Sequence, residues 1–393
     1  MIGPQMQQDI VFTIFLIFTG AAVLATVALY ARQALLVAYI MLGVLLGPSA
    51  LGLVDDPKLI GDIAHIGIMF LLFLMGLELN PREFLLLMHK TTVVTLISSS
   101  LFWGVGGGLA LLFGYNFLEA LLIGAAVVFS STIIGLKLLP TTVLHHQRTG
   151  EIIISILLLQ DFIAILLLLF LEGSSSPDHP MMEFAKLVMA LPLLIGFAVL
   201  FVKKVLLRLL QTFDTFHEYI FLLAIGWCLG MAEAAAALGI SHEIGAFVAG
   251  VTLATSPISL YMSEKLKPLR DFFLVMFFFS LGAGFDLGML TTVILPALLF
   301  ALLTILGKPA VISLLLRKQG EDEARSKEVG ARLGQLSEFS LLIAVLALDS
   351  GLITAEASYL IQLATLLTFL ASTYLVVNRY PTPIALSDEL RRN

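Results

Sequence analysis

Charge is what this chain has least of. Only 13% of its 393 residues are Asp, Glu, Lys or Arg, about half the roughly 25% usual in soluble domains. A single cysteine, Cys228, excludes an internal disulfide and leaves the redox compartment unread. No GKS or GKT phosphate loop occurs, and basic and aromatic residues do not interleave as they do in nucleic-acid binders. The first residues lack the basic stretch and small-residue cleavage site of a signal peptide, so residues 9–30 read as a retained helix. The adjacent His145 and His146 have no nucleophile or further metal ligand at meaningful spacing. An intramembrane enzyme is therefore disfavoured, and nothing calls for a cofactor.

What is there is hydrocarbon. Hydrophobic residues make up 59% of the chain, the mean hydropathy is +1.02, and the apolar residues come in long blocks. A spanning helix needs about 20 mostly apolar residues, whereas a β-barrel would show short alternating segments. The fold class is an all-α polytopic membrane protein. Turn residues and charges divide it into thirteen spans, at 9–30, 33–50, 59–79, 91–113, 117–137, 149–171, 181–202, 217–238, 242–257, 269–285, 289–316, 329–348 and 355–378. Six spans, a linker and six spans follow naturally. The first repeat runs over 9–171, the linker over about 181–210 and the second repeat over 217–378, before a tail at 379–393.

An odd number of spans puts the termini on opposite sides. With the N-terminus outside, the cytoplasmic connections and tail collect all of the 22 Lys and Arg except Lys58, Lys186 and Lys308. That partition fits the positive-inside rule. Lys308 is the odd one, nine residues before Arg317 and so roughly 13 Å into the hydrocarbon.

Asp161 raises the sharpest question. It lies in ILLLQDFIAILLLLF, 12 residues beyond Thr149, roughly 18 Å into its span. A charge at that depth costs about 2.5–3.5 kcal/mol on insertion scales, so it must neutralise, pair or face water. One reading is ion and proton handling, because a carboxylate holds either a proton or a cation. The other is a structural Asp locked in a hydrogen bond. Gln160 adjoins it. Lys308 offers a charge of opposite sign, as a static tether between helices or as a switchable partner that an entering cation displaces. Gly307 and Pro309 flank it, and proline removes a backbone donor.

Ser130, Ser131 and Thr132 in VVFSSTIIGLKLLP sit well inside the fifth span. Their hydroxyls bond back to helix carbonyls, or the helix is unwound there and lines an ion site. A matching segment, GARLGQLSEFSLLI, holds Gly334, Gln335, Ser337 and Glu338 in the fifth span of the second half. Corresponding interrupted helices in two halves are the strongest sequence pointer to a transporter site. Glu338 is a second acid, near the site or paired with an arginine. Glu233, His242 and Glu243 read as solvated helix ends, His65 as an interhelical donor, and Asp271 and Asp286 as caps or interfacial groups. Glu78 reads as interfacial.

Taken in order, GVLLGPSALGL (43–53), FLLFLMGLELNP (70–81), FSSTIIGLKLL (129–139), LLLQDFIAI (157–165), GAFVAGVTL (245–253), FFFSLGAGFDL (277–287) and LGQLSEFSLLI (333–343) resemble the Kef-type branch of the monovalent cation:proton antiporters. The resemblance covers nearly the whole chain. It implies a dimeric, inverted-repeat fold in which two crossed, broken helices, those of Ser130–Thr132 and Gly334–Glu338, lie in a mobile core. It implies that Asp161 is the carboxylate that binds the ion or proton, with Gln160 its neighbour, and that Lys308 is the core lysine paired with it. It implies potassium as substrate, moved outward against protons across a bacterial inner membrane, with no cofactor. Many such proteins carry a cytoplasmic nucleotide-binding regulatory domain after the membrane part, gated by glutathione adducts, and YPTPIALSDELRRN stands where it would be joined. A sodium/proton antiporter of the same fold and, less closely, a gated cation channel stay open.

Overall fold

The computed structural model describes residues 10–54, 57–78, 81–137, 148–173, 180–213, 216–254, 256 and 259–382. Helices α1 (Ile10–Tyr30), α2 (Leu35–Leu46), α3 (Pro57–Glu78) and α4 (Pro81–Leu112) open the chain. The fifth expected span is two helices, α5 (Phe117–Val128) and α6 (Thr132–Lys137), and α7 (Arg148–Gly173) carries Asp161. Next come α8 (Pro180–Phe201), a π turn over Val202–Leu206, α9 (Leu207–Thr212), α10 (His217–Ala237), α11 (His242–Ala254) and α12 (Ser259–Ala283). Then α13 (Leu290–Leu302) passes through a second π turn, Leu303–Gly307, into α14 (Lys308–Lys318). The last three are α15 (Glu323–Arg332), α16 (Glu338–Asp349) and α17 (Ala355–Arg379).

Among the described residues, seven helices are long and apolar enough to cross a membrane. Leu35–Leu46, His65–Leu77, Phe117–Val128 and His242–Ala254 are shorter apolar helices. Each of the thirteen expected blocks is helical, but three begin well before hydropathy suggests: α4 at Pro81, α12 at Ser259 and α15 at Glu323. Hydropathy finds the part of a helix that lies in lipid. It does not find the charged turns, such as those bearing Glu264, Lys265 and Lys267, by which a helix extends beyond it.

The chain forms two compact units, and neither coincides with a sequence half. The first comprises Met1–Ala25, Ala38–Glu83 and Glu172–Phe285. Its helices approach through glycine. A Cβ on Gly43 of α2 would lie 2.0 Å from the Phe279 carbonyl oxygen of α12, and one on Gly282 would lie 2.0 Å from that of Ile40. At the crossing of α3 and α11, a Cβ on Gly250 would lie 2.1 Å from the Phe73 oxygen. Small residues let membrane helices pack backbone to backbone. Stacked rings join α12 to two further helices: Phe18 of α1 on Phe272 at 4.7 Å and Phe70 of α3 on Phe273 at 5.0 Å. Around them Ile17, Leu42, Val275, Met276 and Phe279 form a buried cluster.

The second unit comprises Thr26–Val37, Phe84–Leu171 and Asp286–Asn393. Its apolar core joins Val94 of α4, Ile152, Ile153, Ile156 and Leu157 of α7, Ile312 and Leu316 of α14, and Val329 and Leu333 at the end of α15. Above that core both α5–α6 and α15–α16 are interrupted. The first leaves Phe129–Ser131 outside the helix, with Phe129 extended at φ −76°, ψ 146°. The second leaves Leu333–Ser337 outside. The Ser130–Thr132 hydroxyls thus mark an unwound segment.

Candidate functional site

An interrupted helix exposes carbonyls at one broken end and amides at the other, and each needs a partner away from water. The second unit supplies them from its own side chains. Gln160 spans the first gap, its Oε1 accepting from the Ser130 amide at 3.1 Å while its Nε2 donates to the Val128 carbonyl at 3.3 Å. Ser131 caps α6, its Oγ accepting from the Ile134 amide at 3.1 Å. At the second gap Ser337 caps α16, accepting from Phe339 N at 3.1 Å. The Ser340 hydroxyl donates to the Ala126 carbonyl of α5 at 2.6 Å.

The two gaps are stitched to each other. Ser130 Oγ donates to the Leu333 carbonyl at 2.9 Å, and Gln335 Nε2 donates to the carbonyls of Ser131 at 3.4 Å and Arg332 at 2.9 Å. From α17, Ser372 donates to Gln335 Oε1 at 2.9 Å, and Thr368 accepts from Leu336 N at 3.1 Å. Gly334 is buried against Pro309, where a Cβ would come within 2.8 Å of the ring. Thr368 and Ser372 escaped sequence reasoning. Hydroxyls inside an apolar helix bond its own carbonyls as readily as a neighbour, so only the second gap reveals their use.

Asp161 is 3% exposed. The Thr132 hydroxyl, at the start of α6, lies 3.1 Å from its Oδ2 and 3.4 Å from its Oδ1. Glu338, 3% exposed, is the first residue of α16, where the helix dipole favours a negative charge.

Lys308 requires a correction. The expected partner of its ammonium was the Asp161 carboxylate. In the structure Nζ donates instead to the Phe129 carbonyl at 2.6 Å, the Gln335 carbonyl at 3.2 Å and Ser130 Oγ at 3.4 Å. An ammonium has three donors, and these acceptors take all three. The physical reason is the double gap. Carbonyls unpaired at two helix breaks attract a cation as a carboxylate does, and they lie where the π turn before Lys308 delivers it. That turn also packs Gly307 onto the Phe102 ring.

The other polar residues sort as structure. His65 Nδ1 lies 3.8 Å from Glu243, joining α3 to α11, and His242 lies 3.6 Å from Glu233. Asp286 caps the turn after α12 through Gly288 N at 2.8 Å, and Asp271 pairs with Arg270. His145, His146 and residues 383–393 lie outside the described residues, as does the Glu78 side chain.

A buried carboxylate beside a helix break that is stitched to a second one suits ion transfer. The profile described as "Sodium/hydrogen exchanger, transmembrane" matches residues 14–377. The chain belongs to that family. The chain is thus an integral membrane protein of a transporter family and not an enzyme. It is 29% identical over 371 residues to K(+) efflux antiporter 6 of Arabidopsis thaliana, covering 92% of this chain and 62% of that protein. It therefore spans less than two thirds of that relative's length. It is 27% identical over 366 residues to the putative cation/proton antiporter YbaL of Escherichia coli, covering 90% of this chain and 66% of that one. The structure of the sodium proton antiporter MjNhaP1 from Methanocaldococcus jannaschii at pH 8 superposes with a TM-score of 0.68 at 18% identity, over 93% of this chain and 95% of that one. The chain shares its fold.

Proposed function

We propose that the protein moves potassium in one direction and protons in the other by alternating access, one for one, with Asp161 as the carboxylate that holds either. The observation that carries this reading is the environment of Asp161. It is buried beside an unwound segment, it meets the Thr132 hydroxyl, and Lys308 is committed elsewhere. A bare carboxylate at this depth is expensive. The unit therefore reorients with potassium or a proton bound and stays put when empty. Ser130, Ser131, Gly334, Gln335 and Ser337 hold the crossing open, and Gln160 braces it without adding a second charge. Glu338, buried, opens α16 directly after the second break.

Potassium as the cargo is supported by the relatives named as K(+) efflux antiporters. We further place the N-terminus outside and the C-terminus in the cytoplasm of a bacterial inner membrane. The working form is a homodimer, with regulation by a nucleotide-binding domain or subunit beyond these residues. The second reading is sodium/proton exchange, favoured by the fold shared with MjNhaP1. Cation-driven proton flux in proteoliposomes separates the two. Potassium gradients should drive proton movement at least about tenfold more effectively than sodium gradients, a difference of about 1.4 kcal/mol in transition-state energy. The reverse order selects the sodium reading, and cation current with no proton counterflow rejects exchange altogether.

A further inference from the structure

Arg332 has no part in the scheme above, yet it is buried to 1% exposure. A buried guanidinium is costly unless every side of it is occupied, and at the end of a helix an arginine ordinarily reaches outward. This one turns inward. As the last residue of α15, it gives Nε and Nη2 to Glu328 Oε1 at 2.9 and 2.8 Å. Nη2 also donates to the Pro381 carbonyl at 2.8 Å, and Cζ lies 5.7 Å from the Tyr380 ring centre. Pro381 and Tyr380 belong to the extended segment that leaves α17, and the next residue, Thr382, is fully buried. The planar fork meets a carboxylate, a carbonyl and a ring face together, which a lysine ammonium does not do.

The backbone of the same residue belongs to the second helix break. The Arg332 carbonyl accepts from Gln335 Nε2, and the next carbonyl, Leu333, accepts from Ser130 Oγ. The segment leaving α17 and the crossing beside Asp161 are thus held by the two ends of one residue. We propose that Arg332 is a positioning residue that latches Tyr380–Thr382 to the break at Leu333–Ser337, so that the placing of the outgoing segment sets the geometry of the crossing and the cation affinity of the site. The affinity part rests on the exchange reading, whereas the latch does not.

The test uses the full chain with Tyr380→Ala, which spares the Arg332–Glu328 pair, and Arg332→Lys, which keeps the charge but loses the fork. Amide hydrogen exchange is read by mass spectrometry, and cation-dependent proton flux is read in liposomes. Both variants should speed exchange about tenfold across Leu333–Ser337 and Phe129–Ser131, away from the altered contact. They should also move the half-saturating cation concentration about three- to tenfold, with a smaller change in maximal rate. Exchange altered only at residues 379–382, with an unmoved half-saturating concentration, overturns the proposal. If the wild type carries no coupled flux, the exchange reading fails, and the amide pattern alone still decides the latch.

Discussion

The two compact units bring helix backbones together by opposite means. In the first, side chains are removed: Gly43 against Gly282 and Gly76 against Gly250 leave carbonyls and Cα atoms in direct contact. In the second, the helix itself is interrupted, and the freed carbonyls and amides are taken up by Gln160, Lys308, Gln335 and a set of serines. A glycine joint is dry and has a single arrangement. A joint made from unwound backbone has donors and acceptors that can exchange partners, and so can admit a proton or an ion. Asp161 lies in the unit built the second way.

The sharpest way to break that comparison is Asp161→Asn. The amide still accepts from the Thr132 hydroxyl, so the protein should fold and elute as the wild type does. Coupled proton flux should fall by at least about 100-fold, equivalent to about 2.7 kcal/mol. Near-normal flux from the variant would leave the polar joint structural only.

Lys308→Met keeps the stem and deletes the ammonium, leaving the Phe129 and Gln335 carbonyls without it. Each buried unsatisfied group costs about 1–3 kcal/mol, so unfolding in mild detergent should lose roughly 3 kcal/mol. A variant as stable as the wild type would show that the lysine does not hold the crossing.

The dry joint is tested by Gly282→Ala, whose Cβ would enter the Ile40 carbonyl. Overpacking of this kind costs about 1–3 kcal/mol. Gly226→Ala in α10, with nothing within 4 Å of the new carbon, is the control and should stabilise by about 0.5–1 kcal/mol. Equal thermal shifts in the two variants would remove the argument from close approach.

The smallest effect concerns a strap outside the spans. Arg148, at the start of α7, donates to Glu321 Oε1 through Nε at 2.7 Å, and Arg325 meets the other oxygen at 3.0 Å. Hydrogen bonding by Arg148 is the chief cause that holds the Glu321 carboxyl below its ordinary value of 4.5. A depressed carboxyl contributes stability above its unfolded value and loses it as pH falls through the folded one. Melting temperatures should therefore show this contribution intact from pH 7 to about 4.5 and lost below it. Glu321→Gln should melt slightly lower at pH 7 and lack that acid step. Parallel pH profiles would show that the strap does nothing.

Much of this was legible in the residues. Long apolar blocks fix the helices, because lipid allows few alternatives. SST and GQLSE stand out as breaks because polar residues crowd where hydrocarbon is expected. Asp161 and Lys308 are conspicuous for the same reason, but their relationship is not. A sequence shows that a lysine is buried without showing whether its acceptor is a carboxylate or the unpaired carbonyls of helices far away in the chain. Thr368 and Ser372 were illegible because a hydroxyl within an apolar helix satisfies itself locally. Arg332 was legible only as one of a cluster of basic residues, since its burial depends on Tyr380 and Pro381 folding back beneath it.

The commitment of Lys308 to backbone oxygens has an electrical consequence. Under the exchange reading Lys308 moves with the crossing whether or not cargo is present, and Gln160 adds no charge. Under the exchange reading the reorienting unit then carries the same total charge outbound with potassium as inbound with a proton. A membrane potential of 100 mV, worth about 2.3 kcal/mol per elementary charge, has nothing to pull on over a complete cycle. Turnover would follow the two concentration gradients and be indifferent to voltage.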